Sequence, residues 1–369
     1  MLFPKHRAYA TVDTAAVAAN FCLLRQHARQ YDPTLRTIAV VKANAYGHGA
    51  PLVIPALQGA GCDFFAVATP DEGLEARRLA PGADILVLGY TPPDRIPELV
   101  ACGITQTVFS TPYARAVAAA VPKGERLAVH IKIDGGMCRQ GFAPTEVAAV
   151  HAVLGLSGLR VTGLYTHFPV ADSDPFATLQ GWRQVYALYD RLPQKSLLLH
   201  GAATAAMLQC PDTLQGGARP GLGLYGLSPV ATSLPLRPAL RLWAPVVQIR
   251  EVPAGTPVGY GGDFVTKRRS RIGLLPIGYA DGLRRALGAL PLTLHTESGR
   301  FSTPIVGRIC MDHTMIDLTD TPAGIGDPVL IFDDICRVAR LLGTIPYEVL
   351  TSISRRVTRQ KLTPDKEDV

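Results

Sequence analysis

The chain has 369 residues, 47% of them apolar by type, with a mean hydropathy of +0.17, which excludes a disordered chain and leaves room for one large domain and a second. The formal charge of +7 and pI near 9.1 do not point to nucleic acid. Basic residues are scattered, and the run Lys267-Arg268-Arg269-Ser270-Arg271 reads as a solvated loop with at most a secondary pull on small anions. Seven cysteines without a C-x-x-C spacing, a start lacking a signal-type apolar run, and no apolar stretch of membrane-spanning length predict a soluble, cytoplasmic protein without disulfides, metal or membrane partner.

In chain order, a strand-like stretch at 8–12 precedes a helical one at 14–31. Eight apolar, β-type segments then follow at 37–41, 64–68, 85–88, 104–108, 128–133, 160–166, 196–199 and 217–219. Helical composition fills the gaps, around 50–60, 71–80, 94–101, 113–120, 145–154, 175–191 and 202–208. This repeated βα pattern predicts an α/β fold in which a (β/α)8 TIM-type barrel is favoured over an open doubly wound sheet. After Pro235–Pro238 the texture changes to short β-rich runs: Val246–Val252, Arg271–Pro276, Leu292–Thr296, Pro304–Val306, Met315–Leu318 and Val329–Phe332. These read as a separate β domain. The expected boundaries are 10–238 for the barrel and 239–369, with 1–9, for the mainly-β domain.

The chemistry-bearing residues fall just after the predicted strands. Lys42 ends the first, in Val40-Val41-Lys42-Ala43-Asn44-Ala45-Tyr46-Gly47-His48-Gly49. An amine there is placed where barrel enzymes keep their chemistry, and desolvation makes it a nucleophile toward aldehydes such as pyridoxal phosphate. His130-Ile131-Lys132-Ile133-Asp134 overlaps the fifth strand, Thr166-His167 closes the sixth, His200 closes the seventh, and Arg219-Pro220-Gly221-Leu222-Gly223 follows the eighth. Residues distant in sequence thus converge on one barrel mouth. Phosphate is expected in the last two loops, at Thr204 and the Gly221–Gly223 backbone, with Tyr46 as a further phenol donor.

Taken together with Val258-Gly259-Tyr260-Gly261, Gly278-Tyr279-Ala280-Asp281-Gly282 and Gly307-Arg308-Ile309-Cys310-Met311-Asp312, these motifs resemble the alanine racemase family over about residues 8–359. The resemblance implies a pyridoxal 5'-phosphate enzyme that interconverts L- and D-alanine, with D-alanine serving as a peptidoglycan precursor. It implies a homodimer with shared active sites: Lys42 holds the cofactor as an aldimine and serves one face, and Tyr260 of the partner subunit serves the other. His167 and Arg219 are then expected to form a hydrogen-bonded chain with that tyrosine. The resemblance also turns Arg219 toward the pyridine nitrogen, which a guanidinium will not protonate. The resemblance assigns Arg139 to the cofactor oxygen and substrate carboxylate, and Lys132 to a possible carbamate. Tyr46, Thr204, Gly221 and Leu222 go to the cofactor, Met311 and Asp312, as the partner chain's loop, to the substrate carboxylate, and Tyr279 and Arg284 to an entrance gate.

Three departures stand out. The seventh-strand loop reads His200-Gly201-Ala202-Ala203-Thr204, losing an asparagine and exchanging serine for threonine. Gly135 and Gln140 replace a small hydroxyl residue and a leucine, and Arg355 takes the place of a tyrosine. A serine, lysine or broad-specificity amino-acid racemase shares every motif named, since one methylene changes selectivity by only about 1–3 kcal/mol. A cofactor-carrier barrel would lack the second domain, and class I aldolase chemistry would need neither Tyr260 nor Arg219.

Overall fold

The computed structural model describes residues 5–363; residues 1–4 and 364–369, the expected extremities of the second domain, lie outside the described residues. Contacts divide the chain into two units. One holds Ala15–Ala45 and Val53–Arg237, and the other holds the described residues up to Thr14, Tyr46–Leu52 and those from Pro238 onward. β1 (Tyr9–Val12) belongs to the latter, and the helix Thr14–Arg29 follows it.

The first unit is a parallel barrel. Its strands are β2 (Arg36–Thr37), β3 (Ala39–Val40), β4 (Phe64–Val67), β5 (Asp84–Val87), β6 (Thr105–Val108), β7 (Leu127–Lys132), β8 (Leu159–Tyr165), β9 (Leu198–Ala203) and β10 (Gly217–Arg219), in the order β2-β10-β9-β8-β7-β6-β5-β4-β3. β2 and β3 are halves of one predicted strand, interrupted at Ile38. The first half pairs with β10 and the second with β4, so the sheet returns to its start and is nearly closed. The Ile38 and Val40 amides donate to Ala218 O and Pro220 O on one side, and Val41 N–H donates to Ala66 O on the other.

Most strands are apolar because helices cover their outer face and side chains fill the interior. β6 carries Thr105, Gln106 and Thr107 yet is wholly buried. It tolerates them because Gln106 Nε2 donates to Gly89 O at 2.8 Å, and Thr107 Oγ1 meets Tyr165 Oη at 3.0 Å. Helix starts are set by caps followed by proline. Thr69, Ser110 and Asp174 accept from Glu72, Tyr113 and Ala177 amides ahead of the helices Pro70–Leu79, Thr111–Ala120 and Pro175–Asp190.

The second unit contains β11 (Leu240–Pro245), β12 (Gln248–Val252), β13 (Pro257–Val258), β14 (Phe264–Val265), β15 (Ser270–Leu275), β16 (Leu292–Thr296), β17 (Gly299–Thr303), β18 (Thr314–Asp317), β19 (Pro328–Phe332) and β20 (Thr358–Lys361). A six-stranded sheet runs β17-β16-β19-β11-β1-β20, beside a three-stranded sheet β12-β15-β18 and the hairpin β13-β14. β1 is antiparallel to β11 and parallel to β20, pinned by Trp243 Nε1 donating to Thr11 Oγ1 at 3.1 Å. Two helices, Ile335–Leu342 and Pro346–Ser352, lie between β19 and β20, so the mainly-β unit also holds helical segments. The run Val246–Val252 is also divided, its first residues ending outside β12, and Pro304–Val306 contributes only the bridge Ile305↔Ile316. At Gly47 the chain has φ +79°, and a Cβ would stand 2.2 Å from Leu350 O, so no other residue fits there.

Candidate active site

Lys42 follows β3 and opens an unusual turn. Ala43, Asn44, Ala45 and Tyr46 all have φ between 51° and 54°, and Gly47 has 79°: one turn of left-handed helix built mainly from residues that pay roughly 1–2 kcal/mol each for it. The turn is held by Glu72. Its carboxylate accepts from Ala43 N–H at 2.6 Å and Ala68 N–H at 2.8 Å, so it reaches forward to the Lys42 turn and does not complete the capping box that Thr69-x-x-Glu72 suggests. Val40 O, just upstream, accepts from Tyr225 Oη at 3.1 Å. Burial lowers the Lys42 pKa from its ordinary value, Arg139 and Arg219 lower it further, and Glu72 opposes them. Glu72→Gln should therefore act twice. It replaces an acceptor by an NH2 group facing an amide N–H, at a cost of about 1–3 kcal/mol. It also removes the one charge holding the ammonium up, so the acid limb of aldehyde uptake by Lys42, followed by absorbance, should move to lower pH. An unmoved limb would remove Glu72 from this role.

Arg219 ends β10 and is 4% exposed. Its Nη1 donates to His200 Nδ1 at 2.6 Å and His200 O at 3.0 Å, and its Nη2 donates to Thr166 O at 2.5 Å and Gly201 O at 3.1 Å. A guanidinium has five N–H groups; with four engaged, the Nε–H is left. Burial brings its pKa down to about 10, and it remains charged at neutral pH. The Tyr165 ring lies 5.0 Å from the Arg219 carbon, 5.1 Å from Lys132 Nζ, and stacks on His200 at 4.8 Å. Its π-face serves two buried cations in place of a carboxylate.

Lys132 ends β7, 5% exposed, with Nζ donating to Ile133 O at 3.2 Å. Burial, then Arg219, pulls its pKa down to about 7. No ion pair joins it to Asp134 among the described residues. That carboxylate accepts from the Gly136, Met137 and Cys138 amides and shapes the loop carrying exposed Arg139. Gly135 in this loop has a local reason: a Cβ would stand 2.4 Å from Thr166 Oγ1, a buried hydroxyl with no partner among the described residues.

His167, half-buried after β8, is driven down to about 3 by burial and then by Arg219, Lys132, Arg139 and Lys42; it is neutral and central to four cations. The expected hydrogen bond from His167 to Arg219 does not occur among the described residues. The histidine that Arg219 bonds is His200. Thr204 opens the short helix Thr204–Gln209, and its Oγ1 accepts from Gly221 and Gly223 amides at 3.2 Å each. Its own O–H is thus left to donate outward. Gly223 lets the turn pack closely here, since a Cβ would stand 2.9 Å from Leu24 Cδ1 and 3.0 Å from Thr204 Cγ2. Leu222 starts a tight turn, Leu222–Tyr225, so its amide has no partner within that turn.

The second unit carries the other expected residues. Tyr260 is 70% exposed at the tip of the β13-β14 hairpin, between Gly259 at φ 76° and Gly261 at φ 77°. The hairpin is rooted by Val258 against Ile272 and Val306, and the Arg308–Asp263 ion pair braces its tip. Tyr279 and Met311 are also exposed, at 41% and 53%, as is Arg284. Their loops are zipped by Tyr279 N–H donating to Cys310 O and Ala280 N–H donating to Met311 O, both at 3.0 Å. Asp281, fully buried, pairs with Arg7 and Arg356 at 3.3 Å, and Arg356 reaches Asp312 at 2.6 Å; Arg356 holds the Asp312 carboxyl below its usual range. Tyr46 is buried with its ring 5.9 Å from Tyr347, and burial raises its pKa. Glu72 and Tyr165 were missed from sequence. Only Glu72 left a signal, as the third residue of a capped helix.

A barrel with a desolvated lysine and a buried arginine at its strand ends, joined in one chain to a β-rich unit, defines a class of barrel enzymes that act on small molecules at the strand C-termini. Comparison with known proteins narrows the class. The models for the alanine racemase N-terminal and C-terminal domains match residues 12–229 and 239–361. The chain is 37% identical to an alanine racemase of Clostridium novyi, covering 95% of this chain and 94% of that one. It is similar to the solved alanine racemase of Clostridium difficile (TM-score 0.89, 31% identity, 98% and 97% covered). A Bacillus anthracis alanine racemase with bound L-Ala-P matches with TM-score 0.89 at 30% identity, again over 98% and 97%. The chain belongs to the alanine racemase family, whose members are pyridoxal-phosphate-dependent isomerases. Among the described residues, no helix is long and apolar enough to cross a membrane.

Proposed function

We propose that this chain racemises alanine, with pyridoxal phosphate held by Lys42, through a two-base mechanism completed by Tyr260 of a second copy. What carries the reading is a desolvated amine sharing a cationic pocket with a guanidinium that has one N–H left to offer. The pocket fits the cofactor's charges. Lys42, Arg139 and Arg219 all bear on His167, while Glu72 and Asp134 are committed to backbone amides, so an anionic ligand suits the site. Thr204 Oγ–H, with the Gly221 and Leu222 backbone, suits its phosphate, and Tyr46 adds a phenol in this reading. Arg219 Nε–H suits a ring nitrogen that accepts and is not protonated.

When bound, pyridoxal phosphate supplies the aldehyde carbon and the conjugated ring that acidifies an amino acid's α-hydrogen. The chain's residues do the rest. Lys42 Nζ, its pKa depressed, takes or returns the α-proton on one face. Tyr260 Oη of the second copy does so on the other, which is why an exposed tyrosine on a glycine-framed hairpin belongs to the machinery. Arg139 binds the substrate carboxylate, Met311 and Asp312 of the second copy close over it, and Tyr279 and Arg284 form the entrance gate in this reading. Lys132, with a pKa about 7, offers the neutral amine that carbamylation requires; the resulting anion would anchor Arg139.

Subunit exchange tests the shared site. Lys42→Ala and Tyr260→Phe homodimers should each be inactive, and mixing them should restore about a quarter of wild-type activity, because half the dimers are then mixed and each has one intact site. No recovery despite demonstrated exchange would remove Tyr260 from the opposite face.

A further inference from the structure

We propose that His130 is a positioning residue for Arg219, acting through His200. Since a guanidinium only donates, His200 Nδ1, 2.6 Å from Arg219 Nη1, must present its lone pair. The neutral His200 ring then carries its proton on Nε2, and that atom lies 2.9 Å from His130 Nδ1. His130 Nδ1 must accept in turn, leaving its own proton on Nε2. The two rings form a relay of one polarity, Arg219 to His200 to His130, that fixes which nitrogen faces the guanidinium and how the ring is turned. Both histidines are held neutral by burial, as the relay requires.

The fold makes a slot for this relay. His130 lies on β7 and His200 on β9, so the side chains meet over the intervening β8. They meet near Gly163, where a Cβ would stand 2.6–2.7 Å from three ring atoms of His130. Gly217 likewise clears His200, its absent Cβ falling 3.1 Å from His200 Cβ. Phe64 closes the His130 side edge-on at 6.1 Å, and Tyr165 stacks on His200 at 4.8 Å. His130, 3% exposed, touches neither Lys42 nor Arg219 directly by hydrogen bond among the described residues. Its effect is transmitted: with the His200 ring fixed, the four engaged N–H groups of Arg219 stay engaged, and Nε–H keeps one direction.

This inference rests on the reading of Arg219 as a cofactor-facing group, but its test separates the two. In holoenzyme loaded with pyridoxal phosphate and labelled with 15N-histidine, His200 should show its proton on Nε2. Asparagine at 130 places Oδ1 where Nδ1 was, whereas leucine offers no acceptor. Arg219 keeps the His200 proton on Nε2, but His130→Leu removes its acceptor, so the hydrogen-bonded, downfield Nε2–H signature of His200 should be lost and kcat should fall about tenfold, the scale at which misplacing a supporting group registers, with KM for alanine within about twofold. His130→Asn should keep the signature and remain within about threefold of wild type. Gly163→Ala, which crowds the ring, should follow the leucine variant and serves if that variant does not fold. Equal losses in the leucine and asparagine variants, or an unchanged His200 signature in both His130→Leu and Gly163→Ala, would overturn the relay. A wild-type protein without racemase activity but with His200 protonated on Nε2 would defeat the functional reading and leave the relay standing.

Discussion

Lys42→Ala should lose at least about a thousandfold in racemisation and all visible absorbance from tightly held pyridoxal phosphate, because it removes the nucleophile and one base together. The setting of this lysine, among others near the pocket, supports the reactive role proposed for it. It sits at the first residue of a left-handed turn, fixed by the two amide contacts of Glu72. Burial and the cations Arg139 and Arg219 lower its pKa, raising the neutral fraction at physiological pH. Lys132 is more buried and also depressed, to about 7, but its Nζ is turned back to Ile133 O. Lys42→Arg provides the sharper comparison, since it keeps the charge and removes nucleophilicity. It should be as inactive as the alanine variant. Activity within tenfold of wild type in Lys42→Arg, followed by optical rotation of L-alanine, would mean that charge alone was required.

Much of this site was legible because its residues are tied to strand ends. A strand buried on both faces announces itself as an apolar run, and a charged residue at its end stands out, as with Lys42, Lys132 and Arg219. Pairing within the barrel is local in sequence, so the eight segments also foretold the sheet. What escaped was non-local. Glu72 lies in an ordinary helix start, and nothing in its neighbours says that its carboxylate crosses to Ala43. Composition also could not foresee four non-glycine residues in the left-handed region, since Ala and Tyr disfavour it and only surrounding contacts hold them there. In the second unit, β17 and β20 are largely exposed edge strands, Gly299–Thr303 and Thr358–Lys361, whose polar residues lack the apolar alternation that marks a strand. The helices Ile335–Leu342 and Pro346–Ser352 are only 8 and 7 residues long, too short for a helical period to stand out beside β-branched neighbours. His200 was visible as a strand-end histidine, but which histidine reaches Arg219 depends on side-chain direction around the barrel, and sequence order does not encode that.

Arg219 itself yields the second large effect. Its four engaged N–H groups satisfy His200 Nδ1 and three main-chain carbonyls, and the side chain is 4% exposed. Arg219→Met removes all four donors at once. His200 O keeps the Thr166 N–H; each of the other acceptors left orphaned costs about 1–3 kcal/mol, partly offset because a buried cation without a carboxylate is also relieved, so a net loss of about 2–4 kcal/mol is expected. Thermal or urea unfolding of the cofactor-free protein would measure it. Arg219→Glu separates stability from chemistry. A carboxylic acid can lend a proton to a ring nitrogen and a guanidinium cannot, so racemisation should fall by about a hundredfold or more while transamination to pyruvate rises. Arg219→Lys keeps a cation but presents three donors from a single nitrogen, which cannot reach four separate acceptors. It should lose stability like the methionine variant and gain no transamination. If Arg219→Glu and Arg219→Lys gave the same product ratio, Arg219 would be a structural cation alone, and control of the reaction's outcome would have to lie elsewhere in the pocket.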